Sequence, residues 1–94
     1  MNITNNFDHP DIACSLNDVG CTYGKLNDSR NALEYKLKAL EMIQKLYDYD
    51  HPYIARSLNN VGLILGKLND KNKALEYKLK ALDMYQRLYN GDHP

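Results

Sequence analysis

Residues 8–49 read DHPDIACSLNDVGCTYGKLNDSRNALEYKLKALEMIQKLYDY, and residues 50–91 read DHPYIARSLNNVGLILGKLNDKNKALEYKLKALDMYQRLYNG. Laid over one another at a period of 42 residues (50 minus 8), roughly two-thirds of the positions are identical, far more than shared helical composition would produce. Asp92, His93 and Pro94 open the same motif again. The expected organisation is therefore a flexible N-terminal tail (1–7), a first repeat (8–49), a second repeat (50–91) and the start of a truncated third (92–94).

Each copy carries the pattern of two helices. Pro10 and Pro52 suit a first helical turn, where a missing N–H costs nothing, and they push His9 and His51 before them out of helical conformation. From there Ile12, Leu16, Val19 and Tyr23 recur at spacings of three and four, followed by Leu26. Asn27 tolerates the left-handed conformation that ends a helix, and Asp28 can cap the next one. That second helix is expected to run to about Tyr47, with Leu33, Leu37, Leu40, Ile43 and Tyr47 on one stripe and Ala32 and Ala39 beside it. Small residues at the last two positions admit a neighbouring helix closely. Glu34 with Lys38, Glu41 with Lys45, Glu76 with Lys80 and Asp83 with Arg87 are i,i+4 pairs. Each is worth only about 0.2–0.5 kcal/mol, so they belong to a solvated face and not to a site. Connections of about two to five residues make sequential helices antiparallel neighbours. The fold class is all-α, an α-α superhelix of two antiparallel helix-turn-helix repeats.

Composition narrows the partners. Among 94 residues, 12 basic and 12 acidic side chains cancel, so no basic field draws the chain to nucleic acid or an anionic membrane. A protein or peptide partner is expected instead. No apolar run approaches the roughly 18 residues of a membrane span, and residues 1–7 lack the basic and apolar regions of a secretory leader. A cytoplasmic location is expected. Cys14 and Cys21 lie seven positions apart on one helix, about 10 Å between Cα atoms at 1.5 Å per residue, which is beyond disulfide reach. They read as small half-buried residues in a reducing compartment. A metal site would have to enlist His9 or His51, but no C-x-x-C or H-x-x-x-H spacing supports one, and no cofactor is implied. Catalysis is not expected either. His9, His51 and His93 each precede the repeated Pro, so a boundary role accounts for all three, and no nucleophile elbow, phosphate-cradling loop or H-E-x-x-H appears.

At these residues the chain resembles the tetratricopeptide repeat (TPR) family, over residues 8–94. Val19-Gly20 and Val61-Gly62 match the family's Leu-Gly pair, Tyr23 its first-helix aromatic, and Ala32, Ala39, Ala74 and Ala81 its two small second-helix positions. The 42-residue period and the D-H-P opening are most similar to the variety in kinesin light chains and many bacterial relatives. The repeat is longer than the common form of about 34 residues. There are departures too: Leu16 and Leu58 stand where Trp is frequent, Leu65 replaces the aromatic, and Lys36 and Lys78 fall where an aromatic is common. The resemblance implies a non-catalytic module whose first helices line a concave surface that holds peptide segments.

Positions identical between copies serve the stack, since each copy docks by the same surface, whereas positions that differ are free for a guest. In the first helix the differences include Asp11/Tyr53, Cys14/Arg56, Asp18/Asn60, Cys21/Leu63 and Thr22/Ile64. Their spacing of three or four makes one helical stripe, which the resemblance places on the concave surface. With polar neighbours able to bond a peptide backbone or carboxylate, the candidate contact set is Asn17, Asp18, Cys21, Lys25, Arg56, Asn59, Asn60, Leu63 and Lys67. Asn17, Asn59, Lys25 and Lys67 recur in both copies, which fits bonds inside the hairpin equally well, and a mixed stripe also reads as surface drift. A second activity, self-assembly into a homo-oligomer, follows from the last helix, where Leu75, Leu79, Leu82, Tyr85 and Tyr89 form an uncapped apolar end.

Overall fold

The computed structural model describes residues 8–91; the tail 1–7 and the opening of the third copy at 92–94 lie outside the described residues. Four helices follow one another: α1 (Pro10–Lys25), α2 (Ser29–Leu46), α3 (Pro52–Lys67) and α4 (Lys71–Gln86). They form two hairpins, α1 with α2 and α3 with α4, joined by packing of α2 on α3.

The helix boundaries follow from local chemistry. Pro10 and Pro52 occupy the first turns of α1 and α3, and the preceding His9 and His51 are extended and act as caps. In each, the imidazole Nδ1 accepts the backbone N–H two residues on, from Asp11 and Tyr53, both at 3.0 Å. Asp28 and Asp70 cap α2 and α4 by accepting from the N–H groups of Asn31 and Lys73. Between the helices of each hairpin sits one left-handed residue, Asn27 (φ 64°) or Asn69 (φ 68°), which turns the chain back.

Within a hairpin the helices meet at glycine. A Cβ on Gly20 would lie 2.9 Å from Lys36 Cγ and 3.1 Å from the Ala32 carbonyl oxygen, and one on Gly62 would meet Lys78 Cγ and the Ala74 carbonyl at the same distances. Ala32, Ala39, Ala74 and Ala81 are buried on the facing helices. Between hairpins, Leu40 and Ile43 of α2 pack with Ile54, Leu58, Val61 and Leu65 of α3, with Leu33, Leu46 and Tyr47 partly covered alongside.

Three details depart from the sequence pattern. Leu37 lies at the edge of the α2 stripe and is exposed, while the charged Lys36 beside it is buried, its Cγ against Gly20 of α1 and its Nζ bonded to Asn17 and Cys21. Helix α2 ends at Leu46, and Tyr47 leaves it in extended conformation to stack on His51 at 3.8 Å between ring centroids. Its counterpart Tyr89 stays in a π-helical turn, Arg87–Gly91, that prolongs α4. There it stacks on Tyr85 at 5.8 Å, a partner denied to Tyr47 because position 43 is Ile.

Candidate functional site

Helices α1 and α3 share one side of the molecule, and a cleft of about 180 Å³ opens between them. Ala13 and Ile43 form its apolar part, while Cys14, Asn17, Asp18, Tyr53, Arg56, Ser57 and Asn60 supply the rest. Four of the candidate contact residues, Asn17, Asp18, Arg56 and Asn60, thus meet in one place although they lie on two helices. Asn60 Nδ2 donates to Asn17 Oδ1 across the gap at 3.3 Å, bridging the two helices. The Arg56 guanidinium sits over the Tyr53 ring at 5.2 Å, a cation–π contact that holds both side chains at the rim.

A buried cation lies beneath this rim. Lys36 Nζ donates to Asn17 Oδ1 at 3.1 Å and to Cys21 Sγ at 3.2 Å, and its side chain is 6 % exposed. Asn17 therefore accepts from both Lys36 and Asn60, and Cys21 joins the group through Lys36. In the second hairpin Lys78 is exposed; no third repeat covers it among the described residues. Lys36 is the residue that sequence reasoning missed as part of the site. Its place opposite Asn17 is a contact 19 positions apart, set by the hairpin and invisible to a comparison of copies. Ser57 was hidden for a related reason, being identical in both repeats, whereas the variable pairs did point to Tyr53 and Cys14.

The remaining candidates, Lys25, Asn59, Leu63 and Lys67, are exposed on the same two helices but do not line this cleft. Leu63 is half exposed. One variable pair has a packing explanation: Ile64 is buried over Gly24 of α1, while Thr22, its counterpart, is exposed on the open side of α1. The surface can offer a guest chain a carboxylate at Asp18, a guanidinium at Arg56, side-chain amides and an aromatic face, with apolar contact from Ala13 and Ile43. Among the described residues no group of three or more His, Cys, Asp or Glu side chains gathers as metal ligands, and no helix is long and apolar enough to cross a membrane.

Among curated proteins, none matches the chain. A family model described as Tetratricopeptide repeat matches residues 30–87, which takes in nearly all of α2, the whole of α3 and all of α4. With more than half of the sequence matched and two near-identical antiparallel helix pairs stacked side by side, the chain belongs to the tetratricopeptide repeat family, whose members are generally protein–protein interaction modules.

Proposed function

We propose that this chain is a non-catalytic cytoplasmic module of the long, kinesin-light-chain-like variety, with repeat units 8–49 and 50–91, and that it grips a peptide segment of a protein partner along α1 and α3. The observation that carries this reading is the convergence of the variable positions. Cys14, Asp18, Tyr53, Arg56 and Asn60 differ between otherwise near-identical copies, and all five line one solvent-open cleft. The side chains present suit a polypeptide: neighbouring hydrogen-bonding groups for main-chain amides, with Arg56 and Asp18 to select charged side chains by sign. Cys21, Lys25, Asn59, Leu63 and Lys67 extend the same surface for a guest longer than the cleft, and nothing in that chemistry favours nucleic acid or membrane.

Peptides selected from a random display library against the chain provide the test. In spectra of the isotopically labelled protein, a selected peptide should shift the amides of Asn17, Asp18, Arg56 and Asn60. The double variant Arg56→Glu with Leu63→Asp should retain its helicity and bind at least about tenfold more weakly, a loss of about 1.4 kcal/mol. Shifts confined to α2 and α4, or unchanged binding by the double variant, would remove the groove from consideration.

A further inference from the structure

Where α1 meets α2 in the first hairpin, a thiol and an amine face each other. Lys36 Nζ lies 3.2 Å from Cys21 Sγ, and Asn17 Oδ1 holds the same nitrogen at 3.1 Å. The lysine is only 6 % exposed and so is kept between the helices, whereas Cys21 is a free cysteine open to solvent. The pair belongs to the first repeat alone, because Leu63 and Lys78 occupy the matching positions of the second. Leu63 sits in a hairpin that already has a neighbour packed before it, and it is still 50 % exposed. Access to this place in the repeat therefore does not depend on what precedes α1. The other exposed thiol, Cys14, lies two helical turns away on α1, about 10 Å along the axis.

We propose that Cys21 and Lys36 form a reversible oxidative cross-link, a sulfur–nitrogen bond that ties α1 to α2 when the chain meets a hydroperoxide. The exposed thiol is where such an oxidant reacts. The peroxide passes one oxygen to Cys21 Sγ and leaves as water, giving the sulfenic acid. A sulfenic acid condenses with a neighbouring nitrogen to a sulfenamide, and the 3.2 Å between Nζ and Sγ falls in the near-attack range of about 3–3.5 Å. The lone pair of Lys36 Nζ, in its neutral form, attacks Sγ as the S–O bond breaks. The departing oxygen takes a proton from the nitrogen and leaves as a second water. The chain loses two hydrogens overall, and a thiol reductant restores both residues. Capture by the amine also keeps the sulfur from the irreversible sulfinic step. The link joins residues 15 positions apart and draws Lys36 Nζ away from Asn17, which bridges α1 to α3 through Asn60. Oxidation thus reaches the cleft, but the cross-link stands on the two nucleophiles and not on any guest peptide.

Peptide mapping of the 94-residue chain after treatment with hydrogen peroxide tests the proposal. Trypsin cleaves after Lys25 and Arg30, so an unlinked chain yields Cys21 and Lys36 on separate peptides. The linked pair should appear as one species lighter than the sum of its parts by two hydrogens, and dithiothreitol should separate it again. Cys14→Ser should retain the link. Cys21→Ser should abolish it, as should Lys36→Arg, which keeps the charge and the donors but not the nucleophile; circular dichroism checks that each variant is folded. The same treatment in urea should lower the yield at least about tenfold, because only the fold holds the reacting atoms together. A folded, unchanged chain whose Cys21 stops at sulfenic acid or runs on to sulfinic acid, with no bond to Lys36, would overturn the proposal. An equal yield in urea, or a link made by Cys14 instead, would overturn it too.

Discussion

At the scale of single residues, the two glycines and the buried lysine carry the most consequence. Gly20 and Gly62 are needed for close approach and not for backbone freedom, since no glycine among the described residues has positive φ. A methyl group at Gly62 would meet the Ala74 carbonyl oxygen at 3.1 Å and Lys78 Cγ at 2.9 Å. Overpacking of this kind costs about 1–3 kcal/mol, against about 1 kcal/mol gained in helix propensity. Gly62→Ala should therefore destabilise the fold by about 1 kcal/mol, read as a fall of about 4–8 °C in Tm for a domain of this size; a rise would mean that the hairpin spreads freely. Lys36 illustrates how a residue's setting outruns its type. Lys36 and Lys78 occupy equivalent places, but only Lys36 is buried and bonded to Asn17 and Cys21. Removing Asn17 would leave Lys36 only the Cys21 sulfur as an acceptor, and a buried donor short of acceptors is costly, so Asn17 contributes to stability whatever it does for a guest.

At the scale of elements, caps and turns were legible in the sequence because their chemistry is local. His-Pro at the start of α1 and α3, the left-handed Asn27 and Asn69 and the capping Asp28 and Asp70 each act within a few residues, and all lie where the pattern puts them. The tie between the end of α4 and the start of α3 was not legible, because it joins residues 37 positions apart. Arg87 makes a two-pronged contact with Asp50, Nε to Oδ2 at 2.6 Å and a terminal nitrogen to Oδ1 at 3.0 Å, and also pairs with Asp83. The corresponding residues of the first repeat are Lys45 and Asp8, and a lysine has no fork with which to make this contact. The hydrogen bonds from Arg87 hold the Asp50 carboxyl below its ordinary value. A carboxyl that titrates lower when folded adds stability that is complete above its unfolded pKa and is lost as pH falls through its folded one. In a carbon-detected titration, Arg87→Gln should raise the Asp50 midpoint toward the ordinary carboxylate range, and added salt should narrow the difference because the pair is solvent-exposed. An unmoved midpoint would show that the fork does not persist in solution.

At the scale of the whole molecule, a stack has an inside and two ends, so equivalent residues experience different surroundings. Val61 is fully buried in the joint between hairpins, while Val19 is 40 % exposed on the outer face of α1. In urea unfolding at low micromolar concentration, Val61→Ala should cost about 2 kcal/mol in lost burial and residual cavity, and Val19→Ala no more than about 0.5 kcal/mol. Equal costs would mean that this face of α1 is covered even in the dilute chain. The same asymmetry separates what could be read early from what could not. The sequence by itself determined the repeat, the helix pairs, their caps and the residue types available to the joint, because periodicity and capping depend on neighbours a few positions away. It could also mark the variable stripe, since two internal copies supply their own comparison. Only the tertiary structure decided that Asn17, Asp18, Arg56 and Asn60 share a cleft, that Ile64 is buried over Gly24 while Arg56 is exposed, and that Lys36 lies beneath the rim. Those outcomes depend on how far one helix sits from another and which face it turns. That geometry is set by the summed packing of α2 against α3 and by the close contact at Gly20, and no local pattern encodes it.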